Sequence, residues 1–200
     1  MILNIISVVG FIIGLIGFYL TIDSLKKNKA LKSVSWNEIQ NATRFIWKKL
    51  KGDNFVPDII ISPDPKGGII AHILAEYYDN KVIILIGYAE LSRNNSSGLV
   101  SDDNFTVIST NKWKVRLPTA VESIKPKEKI KILIVDDFVL SGDFNKHMYE
   151  SLITLGYNRT NIKDCCVAVT QVAISAKKEP KYYWKIVLDS DFDFPWGKAE

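Results

Sequence analysis

The chain of 200 residues is poor in cysteine and histidine, with two residues of each type. Cys165 and Cys166 are adjacent, which disfavours a bond between them, and two cysteines exclude a disulfide scaffold and a four-cysteine zinc site. A reducing compartment is the simplest interpretation. His72 and His147 have no metal-ligand spacing with other histidines or cysteines, so surface or packing roles are favoured for them.

The chain also lacks a large excess of one charge. Its formal net charge is +4, from 26 basic and 22 acidic residues. Residues 23–32 hold four lysines and one aspartate, so residues 33–200 are almost neutral. No basic stripe interleaved with aromatic residues is present, which argues against a nucleic-acid partner. The 47% of hydrophobic residues excludes a largely disordered chain.

What the sequence does contain is a long apolar run at its start. Residues 1–22 carry no charge, and sixteen of them are apolar. As a helix they would extend ~33 Å, which is enough to cross the hydrocarbon of a bilayer. A cleaved signal peptide is the alternative, but no lysine or arginine precedes the run and no small-x-small cleavage site follows it. We therefore predict an uncleaved transmembrane helix over residues 1–22, embedded in the lipid bilayer.

The charges beside this run predict its orientation. Lys26, Lys27, Lys29 and Lys32 lie in a basic juxtamembrane linker, residues 23–33, and positive residues are retained on the cytoplasmic side of a membrane. The chain is thus predicted to be a single-pass membrane protein whose C-terminal domain, residues 34–200, is cytoplasmic. The glycine pair at residues 10 and 14 would let two such helices approach closely, which leaves a homodimer open.

Beyond residue 34 the pattern alternates between helices and buried strands. A capping box at residues 35–38 precedes an amphipathic helix predicted over 36–50. Further helices are predicted over residues 68–78 and 144–155, and short apolar strands over 58–62, 81–87, 131–135, 164–170 and 182–188. The alternation predicts an α/β fold with a mainly parallel sheet flanked by helices. Residues 89–104 are polar, and residues 94–98 within them predict a mobile loop. Two short runs of β-formers follow within 105–118.

Two predicted strand ends carry unusual residues, and ligands bind at the carboxyl ends of strands in such sheets. The first strand end leads into Lys66 and the pair Gly67-Gly68, where free backbone N–H groups at a helix start suit a pyrophosphate-like anion. Simple turn chemistry is the alternative there. The other strand end carries the adjacent carboxylates Asp136 and Asp137. Hydroxyl groups or a divalent cation would explain such a pair, and a solvated acidic turn is the alternative.

The run Ile132–Phe144 resembles the phosphoribosyl pyrophosphate signature of type I phosphoribosyltransferases, namely a hydrophobic strand, an acidic pair and a Ser-Gly phosphate loop. Residues 35–39, 57–60 and 66–75 resemble the N-terminal half of the purine-type members. The tripeptide Phe194-Pro195-Trp196 resembles the C-terminal tail of xanthine- and guanine-type members. The resemblance covers about residues 34–197 and implies a phosphoribosyltransferase-like domain with a small hood.

The resemblance also implies roles for particular residues. Asp136 and Asp137 would hold the ribose hydroxyls and place Mg²⁺ through water, and Lys66 with Gly67 and Gly68 would form the pyrophosphate loop. Phe192 or Trp196 would stack on a base, with a place in the hood core as the alternative for both. The polar stretch 89–104 would form the flexible loop and part of the hood. The 5′-phosphate would lie in the loop formed by Leu140, Ser141, Gly142, Asp143 and Phe144.

The chain departs from the family pattern at four places. Leu140 stands where purine-type members often carry an aspartate that exchanges a proton with the purine, and leucine cannot do so. Phe144 replaces a threonine and loses a hydroxyl donor. Asp143 adds a negative charge beside the expected phosphate, and Pro63-Asp64-Pro65 stiffens the other loop. These departures indicate an altered ligand or a fold kept for binding.

Two functions therefore follow from the sequence. The first is a membrane-anchored phosphoribosyltransferase-like protein that binds phosphoribosyl pyrophosphate or a related nucleotide, and transfers a phosphoribosyl group to or from a nitrogenous base if active. That reaction is a glycosyl transfer of nucleotide metabolism and would use Mg²⁺. The second is a catalytically silent nucleotide sensor or effector at the membrane, for which bacterial defence is an analogy.

Overall fold

The computed structural model describes residues 15–21, 32–91, 98–101, 104–109, 113–188 and 190–199. Residues 15–21 are helical, and the rest of the predicted span 1–22 lies outside the described residues, as does the glycine pair at 10 and 14. In the part of the chain that is described, no helix has the length and apolar character needed to cross a bilayer. The transmembrane helix, the lipid contact and the cytoplasmic location therefore stay predictions.

The helices and strands of the domain follow the predicted alternation. The helices are α1 (Trp36–Gly52), α2 (Pro65–Glu76), α3 (Ala120–Ser123), α4 (Asp143–Thr154) and α5 (Gln171–Ser175), with a short 3₁₀ helix at Arg159–Asn161. The strands are β1 (Ile59–Ser62), β2 (Ile83–Ile86), β3 (Tyr88–Leu91), β4 (Gly98–Ser101), β5 (Phe105–Ser109), β6 (Trp113–Pro118), β7 (Ile132–Val139), β8 (Ile162–Thr170), β9 (Tyr182–Val187), β10 (Asp193–Phe194) and β11 (Gly197–Lys198).

The strands form a central sheet, a second sheet and a hairpin. The central sheet has the order β2-β1-β7-β8-β9, and all its neighbouring strands are parallel. A four-stranded antiparallel sheet of order β3-β6-β5-β4 corresponds to the predicted hood. The hairpin β10-β11 lies near the C-terminus. This arrangement confirms the predicted α/β class and its mainly parallel sheet.

The polar stretch 89–104 contains strands of the hood, as the resemblance implied, and residues 94–97 of the predicted mobile loop lie outside the described residues. Strand β3 extends to Leu91 and strand β4 occupies Gly98–Ser101 within that stretch. Both strands pair antiparallel with strands from the following segment, β3 with β6 and β4 with β5. Their hydrogen-bond partners are thus supplied by tertiary pairing, which decides strand formation more strongly than local composition does.

The central strands are buried on both faces. Leu133 and Val135 of β7 pack with α1 and α2, while Ile132 and Ile134 belong to a cluster with α4 and the hood. This division follows from the alternation of side chains along a strand. The predicted capping box is present at the start of α1, where Ser35 and Glu38 each accept the other's backbone N–H. Helices on both sides thus hold β7 at the centre of the domain.

Candidate functional site

The acidic pair lies within the central strand β7 and is buried. Strand β7 continues past Asp136 and Asp137 to Val139, because β8 pairs with it as far as Val169. The two aspartates are only 8% and 4% exposed. The sequence predicted that the strand ends before the pair, since aspartate disfavours strands, but pairing with β8 overrides that preference. Two carboxyl groups are thereby held in the interior, near the carboxyl end of the sheet.

Each carboxylate of the pair has a defined hydrogen-bond donor. Asp136 Oδ1 accepts the backbone N–H of Asp137 at 2.9 Å, which turns its carboxylate along its own strand. Asp137 Oδ2 accepts the indole N–H of Trp196 at 2.8 Å. The C-terminal tail therefore contacts the acidic pair directly. Trp196 and Asp137 are 59 positions apart, so their spacing in the sequence gave no sign of this contact.

The electrostatics of the pair oppose its ionisation. Burial raises the pKa of Asp136 well above its ordinary value, and the neighbouring charges of Asp137 and Asp64 raise it further. Burial also raises the pKa of Asp137 to about 6, although Trp196 and Lys66 act in the opposite direction. A buried pair of carboxyl groups that favours protonation is costly for the fold and is typical of functional sites.

This donor set fits Mg²⁺. Carboxylate oxygens are the protein ligands that Mg²⁺ prefers, and a divalent cation would stabilise the ionised form of both carboxyl groups, which burial and the neighbouring charge of Asp64 disfavour. Among the described residues no group of three or more acidic, histidine or cysteine side chains is placed to hold a metal alone. Mg²⁺ usually keeps several waters and takes further oxygens from a phosphate ligand, so one or two carboxylates suffice.

The start of α2, predicted to bind pyrophosphate, is capped by the chain itself. The Asp64 carboxylate accepts the backbone N–H of Gly67 at 2.8 Å, and Pro65 at the first helical position has no N–H to offer. The carbonyl oxygen of Asp64 accepts the N–H of Gly68 at 3.1 Å. The N–H groups of Gly67 and Gly68 in this predicted anion site are therefore engaged within the helix cap. An aspartate before a proline is a common cap signal, so the sequence did contain it.

The two glycines of that turn have packing roles. A Cβ atom on Gly67 would lie 2.8 Å from the Val135 carbonyl oxygen and 3.0 Å from the Asp136 Cα. A Cβ atom on Gly68 would lie 2.9 Å from the Ile86 side chain. Gly67 therefore lets α2 approach the acidic strand closely enough to place Lys66 where its charge influences Asp137. The Lys66 ammonium also donates to the carbonyl oxygen of Lys198 at 3.1 Å.

The predicted phosphate loop has an ion pair that the sequence did not indicate. Asp143 accepts a hydrogen bond from the Lys178 ammonium at 2.6 Å and a second from the Ser141 hydroxyl at 3.1 Å. Gly142 has a left-handed backbone with a φ of 72°, and its Cα approaches the backbone of Lys178. Lys178 thus compensates the negative charge that Asp143 was expected to add. Lys178 belongs to none of the sequence motifs; it lies in the segment after α5, and the tertiary structure places it beside Asp143.

The flanks of this loop differ in what they offer. Leu140 is 43% exposed, so an apolar side chain that cannot exchange a proton faces the solvent at this position. Phe144 is half-buried and packs against the cluster of β7 and α4, so its ring serves the core. The loop therefore presents its backbone and Ser141, with Lys178 beside them.

Replacing Lys178 by methionine is expected to raise the pKa of Asp143. The hydrogen bond from Lys178 is the main cause that holds the pKa of Asp143 below its ordinary value. Carbon-detected NMR titration of the Asp143 carboxyl measures this directly. The matched control is Lys177→Met at the exposed neighbouring position, where the Asp143 titration should stay as in the wild type. An Asp143 titration unaffected by Lys178→Met would contradict the ion pair.

The aromatic residues of the tail occupy two different environments. Phe192 is 1% exposed and lies 5.2 Å from Phe194 and 6.4 Å from Phe138, ring centre to ring centre. This burial favours the alternative for Phe192, a place in the protein core, over base stacking. Trp196 is half-buried, stacks on Phe194 at 5.1 Å, and contacts Trp36 at 5.6 Å.

Known proteins resemble this chain in structure and not in sequence. No protein-family model matches it, and neither does any curated protein. A purine phosphoribosyltransferase from Pyrococcus horikoshii matches with a TM-score of 0.58 at 19% identity, covering 84% of this chain and 94% of that one. A Helicobacter pylori xanthine-guanine-hypoxanthine phosphoribosyltransferase matches with a TM-score of 0.57 at 18% identity, covering 83% and 93%.

The chain has the type I phosphoribosyltransferase fold. A third structure with this likeness is a hypothetical protein from Neisseria gonorrhoeae with bound ppGpp, at a TM-score of 0.60 and 15% identity, covering 82% of this chain and 89% of that one. The phosphoribosyltransferase fold confirms the predicted architecture of the domain. At these identities the likeness establishes the fold, and the function has to be argued from the residues of the site.

Proposed function

We propose that this chain binds a phosphoribosyl ligand, phosphoribosyl pyrophosphate or a related nucleotide, together with Mg²⁺, and transfers the phosphoribosyl group to or from a nitrogenous base. The observation that carries the proposal is the buried pair Asp136–Asp137 in the central strand of a phosphoribosyltransferase fold, followed at once by a Ser-Gly loop at a helix start. Burial of two adjacent carboxyl groups lowers the free energy of unfolding, and such destabilising groups are typical of functional sites, which supports a ligand-binding role.

The binding step assigns a task to each group. Asp136 and Asp137 would accept hydrogen bonds from the ribose hydroxyls, in place of their present donors. The backbone of residues 140–144 would hold the 5′-phosphate at the start of α4, where N–H groups favour an anion. Lys178, already 2.6 Å from Asp143, would add positive charge at that phosphate.

The transfer step breaks the bond between the anomeric carbon of the ribose and a pyrophosphate oxygen, and forms a bond from that carbon to a base nitrogen. Pyrophosphate leaves with the bonding electron pair, and the base nitrogen gives up its proton to solvent. Mg²⁺ held through water by Asp136 and Asp137 would supply positive charge for the departing pyrophosphate. Lys66, which is close enough to influence Asp137, would attract the same group.

A second function, a catalytically silent nucleotide sensor or effector, is favoured by the start of α2. The Asp64 cap engages the N–H of Gly67, where a transferase would hold the departing pyrophosphate. Leu140 offers no proton exchange to a base. A ligand bound through its ribose and 5′-phosphate alone would need neither a free N–H group at Gly67 nor a proton-exchanging side chain at position 140. One protein of similar structure contains bound ppGpp.

Membrane anchoring and cytoplasmic location form a further part of the proposal. The support is the uncharged run of residues 1–22 followed by four lysines within residues 26–32. Cys165 and Cys166 are buried free thiols, which suits a reducing compartment. Protease treatment of membrane vesicles of known orientation tests this location. Cleavage of the domain by a protease added to the side of the membrane that faces away from the cytoplasm contradicts it.

Calorimetric titration of the full chain with phosphoribosyl pyrophosphate and Mg²⁺ tests the binding step. We expect saturable binding to the wild type and a loss of at least about tenfold in affinity for Asp136→Asn and Asp137→Asn. The matched control is Asp79→Asn, which removes the carboxylate of an exposed ion pair with Lys81. No heat at high ligand concentration would overturn the proposal.

Release of pyrophosphate across a panel of purine and pyrimidine bases separates the two functions. Pyrophosphate formed with one base, and lost in Asp137→Asn, supports the transferase. Binding of phosphoribosyl pyrophosphate or a nucleotide without release for any base supports the sensor and contradicts the transferase.

A further inference from the structure

The C-terminal hairpin, residues 193–198, covers the acidic pair. Trp196 lies at its turn and donates its indole N–H to Asp137 at 2.8 Å. The carbonyl oxygen of Lys198 accepts a hydrogen bond from the Lys66 ammonium at 3.1 Å. Both contacts use groups that the proposed ligand would need. In this arrangement the Trp196 N–H occupies the Asp137 Oδ2 that a ribose hydroxyl would use.

The base of the hairpin is anchored in the core while its turn is not. Phe192 and Phe194 are buried beside Phe138, and the Ala199 N–H closes the base by donating to the Phe192 carbonyl oxygen at 2.8 Å. Trp196 is half-buried and rests on the ring of Phe194. The turn can therefore move relative to its base without loss of the buried phenylalanines.

The same hairpin is joined to the end of the N-terminal linker. The Val34 N–H donates to the Asp193 carbonyl oxygen at 2.9 Å, and Ser33 forms a parallel bridge with Asp193. Lys32 forms an ion pair with Asp191, which also contacts Lys198 at 3.5 Å. Residues 32–34 thus lie against the hairpin, joined to it by a single parallel bridge at Ser33.

The linker also reaches the turn by a second route. Trp36, the first residue of α1, lies two residues after Val34, and its ring lies 5.6 Å from the ring of Trp196. Contacts therefore run without a gap from residue 32 through the hairpin to the Asp137 carboxylate. A change in how the linker lies would alter the contacts that hold Trp196 in place.

We propose that the C-terminal hairpin is a lid on the acidic pair, and that residues 32–34, where the N-terminal linker joins the domain, hold this lid closed. Release of the linker from Asp191 and Asp193 frees the turn, withdraws Trp196 from Asp137 and opens the ribose site. The inference rests on the proposed function for its ligand. It makes ligand affinity depend on the position of the N-terminal segment, through the fraction of molecules with an open lid.

Two variants of the full chain test the lid. Lys32→Glu places a negative charge opposite Asp191, outside the residues proposed to hold the ligand, and should release the linker. Trp196→Phe keeps an aromatic ring on Phe194 and removes the N–H that holds Asp137. The matched control is Lys81→Glu, the same charge reversal at an exposed lysine paired with Asp79.

Amide hydrogen exchange of residues 193–199 is the first readout and needs no ligand. We expect Lys32→Glu to increase this exchange by about threefold or more, with Lys81→Glu unchanged. The second readout is affinity for phosphoribosyl pyrophosphate with Mg²⁺, which should rise by about threefold or more in both Lys32→Glu and Trp196→Phe. Tighter binding is the opposite of what a merely damaged site would give.

The outcomes separate the lid from the function it serves. Unchanged hairpin exchange in Lys32→Glu overturns the coupling to the linker, whatever the ligand does. Affinity that stays equal or falls in Trp196→Phe overturns the lid. Faster hairpin exchange in Lys32→Glu, in a protein that binds no phosphoribosyl pyrophosphate in any form, supports the coupling and overturns the proposed function instead.

Discussion

Replacing Asp137 by asparagine is expected to raise the free energy of unfolding of the ligand-free protein by about 2–3 kcal/mol at pH 7.5. Burial raises the pKa of Asp137 from 3.8 to about 6, so ionisation costs more in the folded chain than in the unfolded one. Asparagine keeps an oxygen that can accept the Trp196 hydrogen bond but has no charge. The midpoint of thermal unfolding should rise by about 5–10 °C.

The pH dependence of this effect has a definite sign. Because the folded pKa of Asp137 lies above its unfolded value, the protonated carboxyl stabilises the fold below about pH 4, and this contribution is lost as the pH rises through about 6. The difference in stability between the variant and the wild type should therefore be small at pH 4 and largest above pH 7. Urea unfolding of both proteins across this range measures it, with Asp79→Asn as the control. A difference that is the same at pH 4 and pH 8 would contradict a buried, ionising Asp137.

The same substitution is expected to weaken binding of the proposed phosphoribosyl ligand by at least about tenfold, so stability and binding should move in opposite directions. A carboxyl group kept only for structure would not behave this way, because its removal would cost stability. Gains in stability at the expense of function are typical of residues held in a costly state for a ligand.

Replacing Gly142 by alanine is expected to lower the free energy of unfolding by at least about 3 kcal/mol. Its φ of 72° disfavours any residue with a Cβ atom, and that atom would lie 2.0 Å from the Lys178 carbonyl oxygen. Relief of the clash requires the phosphate loop and the segment of Lys178 to separate. Thermal unfolding and the Asp143–Lys178 ion pair, followed by the titration of Asp143, both report the change.

Gly52→Ala is the matched control for that substitution. Gly52 ends α1, and a Cβ atom there would meet no other atom within 4 Å. Alanine favours a helix over glycine by roughly 1 kcal/mol, so this variant should be neutral or slightly more stable than the wild type. Equal destabilisation by the two substitutions would show that Gly142 has no special environment.

Local patterns predicted the elements of the parallel sheet well. Unbroken apolar runs such as residues 131–135 are typical of strands buried on both faces, and the capping box at Ser35 marked the start of α1. Strands β3 and β4 were not predicted, because their partners lie in β6 and β5, farther along the chain. Antiparallel pairing of polar strands leaves little trace in the composition of either strand.

By itself, the sequence determined the α/β class of the domain, the place of the acidic pair at the end of a buried strand and the loop that follows, since these depend on residues close together in the chain. Only the tertiary structure decided what surrounds them. It placed Trp196 on Asp137, Lys178 on Asp143 and the linker residues 32–34 on the hairpin. These contacts join segments far apart in sequence, and burial by the whole domain is what shifts the pKa values of the two aspartates. No local sequence pattern predicts these contacts or these pKa shifts, because both arise from the packing of the whole domain.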